Sequence, residues 1–313
     1  MATTSTQRVI TTRGWFTPAR REAIEGFLYI SPWILGFLIF AAGPMLASFA
    51  LSFTQYNILK PPTFIGLENY NVVFSRDRLF YQSLTRTAYY AMAIVAIGVA
   101  GSLLLAVLLN QRLKGTVAFR TVFFVPSLTP IVASALLWGW IFHPELGLLN
   151  NGLALVGIKG PGWLTTTEWA IPSLVLMALW GGLGGGRMII FLAGLQGVPQ
   201  ELYEAASIDG AGVWARFRNV TLPMITPTVF FNLVLGIIGS FSVFAVAYVA
   251  TQGGPARATY FYVYHIFNRG FADSDMGYAS ALAWVFFAIL LFFTAIQFRL
   301  QRYWVYYESE ERQ

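Results

Sequence analysis

Six long apolar runs punctuate this chain, at roughly 27–53, 87–110, 118–142, 168–195, 222–250 and 277–299, with shorter polar stretches between them. Crossing the hydrocarbon core of a bilayer takes about 20 apolar residues in a helix, and each run is long enough. The runs are continuous rather than alternating, which excludes the short dyad-patterned strands of a membrane β-barrel. The first run follows Arg8, Arg13, Arg20 and Arg21, the layout of a secretory signal. It is too long for a signal's apolar region, however, and Pro44 leads into further apolar residues instead of a cleavage site. It reads as a retained span. The pattern predicts an all-α membrane protein with six transmembrane helices: an N-terminal segment over 1–26, then one membrane domain over 27–313.

Composition agrees. Apolar residues make up 57% of the 313 and charged residues 11%, and mean hydropathy is +0.61, a balance no soluble domain shows. The net charge of +6 is not gathered into patches of the kind that bind nucleic acid, so its meaning is topological. With the N-terminus inside, the inside segments carry twelve basic residues: the four arginines above, Arg112, Lys114, Arg120, Arg216, Arg218, Arg299, Arg302 and Arg312. The outside segments carry seven: Lys60, Arg76, Arg78, Arg86, Lys159, Arg257 and Arg269. This bias has the sign of the positive-inside rule and puts both termini and the loop before the fifth span in the cytoplasm. There is no cysteine, which removes disulfide and thiolate chemistry. His143 and His265 fall in different loops, too sparse for a histidine-built metal site. His143 reads as a loop residue and His265 as an interfacial one. Among the outer loops, 143–167 is rich in Gly and Pro and carries Trp163, the makings of a flap that folds back. Thr251-Gln-Gly253-Gly254-Pro255 is a turn signal, and the aromatic stretch Tyr260 to Phe267 suits a belt at the headgroup level.

The loop between the fourth and fifth runs reads Glu201-Leu-Tyr-Glu204-Ala205-Ala206-Ser-Ile-Asp209-Gly210-Ala211-Gly212, followed by Val220-Thr-Leu222-Pro223. Pro199 suits the first turn of a short helix, and Glu201 and Glu204 lie near its positive end. Leu202, Ala205, Ala206 and Asp209 share one face, and Gly210 or Gly212 can take the left-handed conformation that stops the helix. Val213, Phe217 and Val220 mark an apolar face on a second short helix. Small side chains of this kind admit the close approach of a partner's backbone; a helical hairpin lying flat on the membrane would use the same pattern.

These residues, in this spacing, resemble the EAA loop of the membrane subunits of ATP-binding-cassette importers, with Val220 where that family usually has isoleucine. The resemblance implies the type I importer permease (MetI-like) fold, with the coupling loop over about 196–223. It also implies a role: Glu204, Ala205, Ala206, Asp209, Gly210, Leu222 and Pro223 seat the loop in a groove of a separate ATPase. ATP-driven closure of two such ATPases then moves two loops together and turns the path from inward- to outward-facing. The sequence has no G-x-x-x-x-G-K-[ST] phosphate loop, so ATP and its magnesium belong to that other subunit. This chain is expected to bind no cofactor or metal and to catalyse no reaction. The implied partners are a second, similar permease, two copies of the ATPase, an extracytoplasmic solute-binding protein, the solute and the bilayer of a bacterial or archaeal cytoplasmic membrane; nucleic acid is not among them.

Further stretches narrow the resemblance to the maltose- and glycerol-3-phosphate-type permeases: Ser207-Ile-Asp209-Gly210-Ala211, Phe191-Leu-Ala193-Gly194-Leu195-Gln196, the Gly253-Gly254-Pro255 turn with Thr259, Met276-Gly277-Tyr278-Ala279-Ser280-Ala281 and the ending Trp304-Val-Tyr306-Tyr307-Glu308. The implied solute is a sugar, a related polyol or a glycerol phosphate. In the fifth run Asn232, Gly236, Gly239 and Ser240 share a face that serves either close helix packing or a path for hydroxylated solutes. Ala245 stands where the family often has an acid. Arg187, after Gly184-Gly185-Gly186, is the one charge well inside a run. It is either a structural partner of backbone carbonyls or of the second permease, a contact on the path, or a snorkelling side chain. A secondary transporter driven by an ion gradient is the rival reading; it calls for ionisable groups near the midplane and broken helices in matching halves.

Overall fold

In the computed structural model, residues 18–111 and 114–306 are described. Arg8, Arg13, Arg112, Tyr307, Glu308 and Arg312 lie outside the described residues, as does most of the expected N-terminal segment 1–26. The first helix, α1 (Pro18–Leu51), already begins within that segment. It is interrupted by a π-turn at Leu38–Ala42, where the Gly43 N–H reaches Leu38 O, directly before Pro44. Proline lacks the N–H for an i→i−4 bond and its ring crowds the carbonyl one turn back, so a widened turn relieves the clash. The apolar middle of α1 buries nothing within the chain. Its C-terminal end packs on the bundle, where Trp284 Nε1 donates to Ser48 Oγ at 3.1 Å and packs on Phe49.

A two-stranded antiparallel hairpin, β1 (Thr54–Gln55) and β2 (Thr63–Phe64), and a short helix, α2 (Glu68–Ser75), lead to the next span. Asn69 is buried and clamps this corner, donating through Nδ2 to Ser52 O and Thr54 O. The centre of the molecule is α3 (Arg78–Leu109), whose buried face steps through Thr87, Tyr90, Ile94, Gly98, Ser102 and Ala106. Three- and four-residue steps keep these on one side, and the small residues among them allow neighbours to approach closely.

The third run is not a straight span. It is a pair of helices, α4 (Thr116–Leu128) and α5 (Ile131–Ile141), bent by 96°. Thr129, forced out of the helical region by the following Pro130, is extended with ψ 125°. The fourth run bends by 49° between α7 (Thr167–Gly182) and α8 (Gly186–Gln196), with α6 (Leu148–Leu155) in the loop before it. Among the described residues four helices are long and apolar enough to cross a membrane alone, or up to six if each bent pair counts as one span. The fifth run starts from a short helix and continues as α11 (Thr226–Phe241) and α12 (Ala245–Ala250), after which come α13 (Tyr262–Phe267) and the last span, α14 (Met276–Gln301). The first two short helices of the loop at 200–224 are α9 (Gln200–Ile208) and α10 (Val213–Arg216). Helices α7, α8, α11 and α13 all pack on α3.

The 143–167 segment folds back as expected: Trp163 Nε1 donates to Asn150 Oδ1 at 2.7 Å and its ring stacks on Phe142. The aromatic stretch after the Gly253 turn does not form a lipid-facing belt. Tyr260, Phe261, Tyr262 and Tyr264 are buried inside the bundle, because α13 lies between α3 and α14, with the Tyr262 N–H bonded to Thr87 Oγ1 and its hydroxyl to Leu282 O.

Candidate coupling loop and solute cavity

Pro199 stands just before α9 rather than in its first turn, with extended backbone (φ −58°, ψ 134°). Proline there lets the helix begin at Gln200 and puts Glu201 in the first turn. The helix ends in a complete Schellman motif. Gly210 takes the left-handed conformation at φ +79°, its N–H bonds to Ser207 O at 3.1 Å, and the Ala211 N–H bonds back to Ala206 O at 2.9 Å. Of the two glycines that could have stopped the helix, Gly210 does so; Gly212 stays at φ −67° and opens α10.

Side chains then clip the two short helices together. Arg216 donates to Ser207 Oγ, which donates to Tyr203 O, and the Tyr203 hydroxyl meets Thr221 Oγ1 at 3.0 Å. A π-turn over Phe217–Thr221 precedes Pro223, as the other does Pro44, and carries the chain up into α11. Glu204, Ala205, Asp209 and Gly210 are exposed on this knuckle and Ala206 is half-buried, while Leu222 and Pro223 stand at its base. Among the described residues the Glu204 and Asp209 carboxylates have no side-chain hydrogen bond or ion pair. Large apolar side chains of the same knuckle also stand in the open: Ile208 is 87% exposed, Val213 79% and Trp214 72%. Val213, on the expected apolar face, therefore has little cover of its own, whereas Phe217 and Val220 are half-buried.

A cavity of about 540 Å³ lies among α3, α5, α7, α8 and α11, lined by Tyr90, Arg187, Gly236, Gly239, Ser240 and Phe244 among others. Of the three expected path residues, Arg187 and Ser240 line it. Asn232 does not; it is 2% exposed, and its Nδ2 donates to Thr228 O in its own helix. The glycine run before Arg187 has a steric reason at Gly184, where a Cβ would collide with the Phe123 carbonyl of α4. Arg187 itself, in the first turn of α8, passes between α3 and α11. A Cβ on Gly98 would strike its Nη1, and one on Gly236 would lie 3.5 Å from its Nη2. The missing side chain at Gly98 leaves room for the guanidinium, while Gly236 borders it at ordinary contact distance.

At the opposite end of the bundle from the knuckle stands a buried network that sequence reasoning missed. Asp77 caps α3 by accepting from the Leu79 and Phe80 N–H groups. Its other oxygen accepts from the Tyr278 hydroxyl at 2.6 Å and pairs with His265 Nε2 at 2.8 Å. The Tyr260 hydroxyl meets His265 Nδ1 and accepts from Asn268, an arrangement that suits a neutral ring with its proton on Nε2. Burial holds the His265 pKa below its ordinary value, outweighing the carboxylate beside it. Burial also pushes Asp77 up, yet the hydrogen bonds from Tyr278 and His265 prevail and bring its pKa below the ordinary one. With the imidazole's affinity for a proton lowered by burial, the contact reads as a hydrogen bond to a neutral ring. An Asp directly before a helix is a legible cap signal; nothing local in the sequence pairs it with a histidine 188 positions away.

The chain is 42% identical over 296 residues to the probable ABC transporter permease protein YesP of Bacillus subtilis, covering 93% of this chain and 95% of that one. It is 32% identical over 287 residues to the trehalose/maltose transport system permease protein MalF of Thermococcus litoralis, covering 90% and 95%. Its fold superposes, with a TM-score of 0.81 at 24% identity, on a chain of a bacterial ABC transporter that imports the acidic polysaccharide alginate, over 91% of this chain and 99% of that one. Residues 98–304 match the family described as the inner membrane component of binding-protein-dependent transport systems, and with the fold and the relatives in agreement, this chain belongs to that family.

Proposed function

We propose that this chain is one of two permease subunits of a carbohydrate importer, and that the knuckle of α9 and α10 seats on a separate ATPase. What carries the reading is the knuckle: a rigid, self-bonded protrusion whose apolar tip has no cover of its own. Exposed apolar groups rimmed by charge are what a partner's groove buries. On this reading the knuckle and both termini face the cytoplasm, a second permease completes the path, two ATPases sit beneath, and an extracytoplasmic binding protein delivers the solute. Sugar as cargo is supported by relatives named for trehalose/maltose, arabinooligosaccharides and starch degradation products. The cavity is lined by no carboxylate among the described residues, the group an ion-coupled carrier would use. That weighs against a secondary transporter.

The chain's lack of cysteine makes the test clean. Ala205→Cys, in the complete importer, is expected to crosslink to a cysteine placed in the ATPase groove, and the crosslink yield to change with ATP. A cysteine at Leu59 on the opposite end, 87% exposed, is expected to give none. Crosslinking from Leu59→Cys and not from Ala205→Cys would refute the orientation and the coupling role together.

A further inference from the structure

We propose that Arg187 acts by its shape rather than its charge. It is a positioning residue that pins one end of α8 to the cavity wall, so that movement of the knuckle reaches the solute path through α8 as well as through α11. The proposal rests on the coupling role given above and adds a second route, with the residue on which that route turns. Helix α8 ends at Gln196 and α9 begins at Gln200, so three residues separate it from the knuckle. The stretch of α8 toward the knuckle is firmly packed: Met188, Phe191 and Leu195 are buried in one cluster with Val99 and Ala106 of α3. Close-packed interiors transmit strain rather than absorb it, and a push at Gln200 therefore arrives at the far end of α8.

That far end has little of its own to hold it. It follows the 49° bend from α7, and Gly184, Gly185 and Gly186 there carry no side chain. Gly184 and Gly185 lie against α4, where added Cβ atoms would meet the Phe123 carbonyl and Ser127. The bend also rests on α3, whose Gly98 and Gly101 are three apart and so share a face. A Cβ on Gly101 would collide with Leu183, directly before the glycine run, and one on Gly98 with Arg187, directly after it. Two knobs thus sit in two neighbouring notches of α3, Leu183 from the α7 side of the bend and Arg187 from the α8 side. Among the described residues Arg187 makes no hydrogen bond or ion pair, and no carboxylate lines the cavity. Its hold on α3 therefore comes from filling space, the many small contacts that a void would forfeit. The same side chain borders Gly236 of α11 and the cavity, where a long stem can pack while its charged head meets water.

The chain's lack of cysteine allows a test that does not depend on the solute. Ser134, which lines the cavity, is replaced by cysteine in the complete importer, its partner subunits having been freed of cysteine. The rate of reaction with a water-soluble maleimide is measured with and without ATP and vanadate, and ATP hydrolysis is followed alongside. With Arg187 in place the rate is expected to change several-fold when nucleotide is added. Arg187→Ala is expected to remove most of that change while hydrolysis continues, and Gly98→Leu, which evicts the guanidinium, to do the same. Arg187→Met, long but uncharged, is expected to keep most of it. Arg187→Ala combined with Gly98→Leu is expected to restore the change, because a side chain grown from α3 fills the space the arginine leaves. If this pair and Arg187→Met are as defective as Arg187→Ala, charge is what counts and the proposal falls. It falls equally if Arg187→Ala leaves the response to nucleotide intact, or lowers it only in proportion to hydrolysis. Should Arg187→Ala fail to assemble, Arg187→Met and the pair decide in its place. If the parent Ser134→Cys chain does not respond to nucleotide, the coupling reading itself fails and takes the proposal with it.

Discussion

The carboxylate of Asp77 accepts from the Leu79 and Phe80 N–H groups, the Tyr278 hydroxyl and His265 Nε2, so one side chain joins α3, α13 and α14. Asp77→Asn keeps the shape but turns one acceptor into a donor, leaving Tyr278 and His265 facing it without a partner. Each buried group so orphaned costs about 1–3 kcal/mol, and a clear fall in the thermal midpoint of the protein in detergent is expected. The same network gives a pH dependence with a definite sign. The His265 pKa is lower folded than unfolded, so its contribution is complete above the ordinary value of 6.5 and fades as pH falls below it. Asp77, also lowered, keeps its contribution until pH drops beneath its ordinary 3.8. Between pH 7.5 and 5.5 the wild-type midpoint is therefore expected to fall, while His265→Gln, already less stable at pH 7.5, follows a flatter line. A wild-type midpoint that holds level or rises toward pH 5.5 would show that the imidazole is not buried neutral.

At the scale of elements, glycines decide how closely helices meet, and the run Gly184–Gly186 separates the cases. A Cβ at Gly184 meets the Phe123 carbonyl, whereas one at Gly186 meets nothing within 4 Å. Gly184→Ala should therefore behave as overpacking, a loss of about 1–3 kcal/mol, and Gly186→Ala, inside the first turn of α8, should be neutral or slightly stabilising. Thermal unfolding of the two variants side by side distinguishes them, and equal effects would mean that the bend between α7 and α8 is not held by this contact. The sequence shows three glycines in a row but not which one touches α4. The same boundary runs through the whole molecule. A helix stop at Gly210 or Gly212 was legible because helix stops are local: a left-handed residue a few positions past the last apolar one needs no distant partner, though which glycine takes it was not. The six apolar runs were legible because length and hydropathy are local too. The 96° turn at Thr129–Pro130 was not, since hydropathy measures how much apolar chain there is and not where it points. Tyr260 to Tyr264 carry the same trap, because an aromatic cluster fits a headgroup belt or a buried helix equally well until α3 and α14 are seen to enclose it. Asn232 looked like a path residue by periodicity, yet its amide turns back onto Thr228 O.

Across the whole molecule, the knuckle and the cavity are joined by one continuous lever. The Tyr203 hydroxyl ties α9 to Thr221, the π-turn ending there feeds α11, and α11 carries Gly236 and Ser240 to the wall where Arg187 crosses to Gly98. The C-terminal tail braces the same root, with the Tyr306 N–H bonded to Thr226 Oγ1. A push on the knuckle must therefore either move α11 against α3 or break this chain of contacts. Tyr203→Phe removes one hydrogen bond, worth only about 1 kcal/mol to stability, but it cuts the tie between α9 and the root of α11. With the importer reconstituted on the proposed reading, uptake is expected to fall several-fold while ATP hydrolysis continues, so that more ATP is spent per solute moved. Gly210→Val should be harsher, since a β-branched residue resists the left-handed conformation by about 1–2 kcal/mol and the Schellman bonds to Ser207 and Ala206 go with it. Loss of uptake together with loss of ATPase binding is expected there. If Tyr203→Phe lowers hydrolysis and uptake in the same proportion, the bond serves docking rather than transmission, and force must reach the cavity by another route than α11.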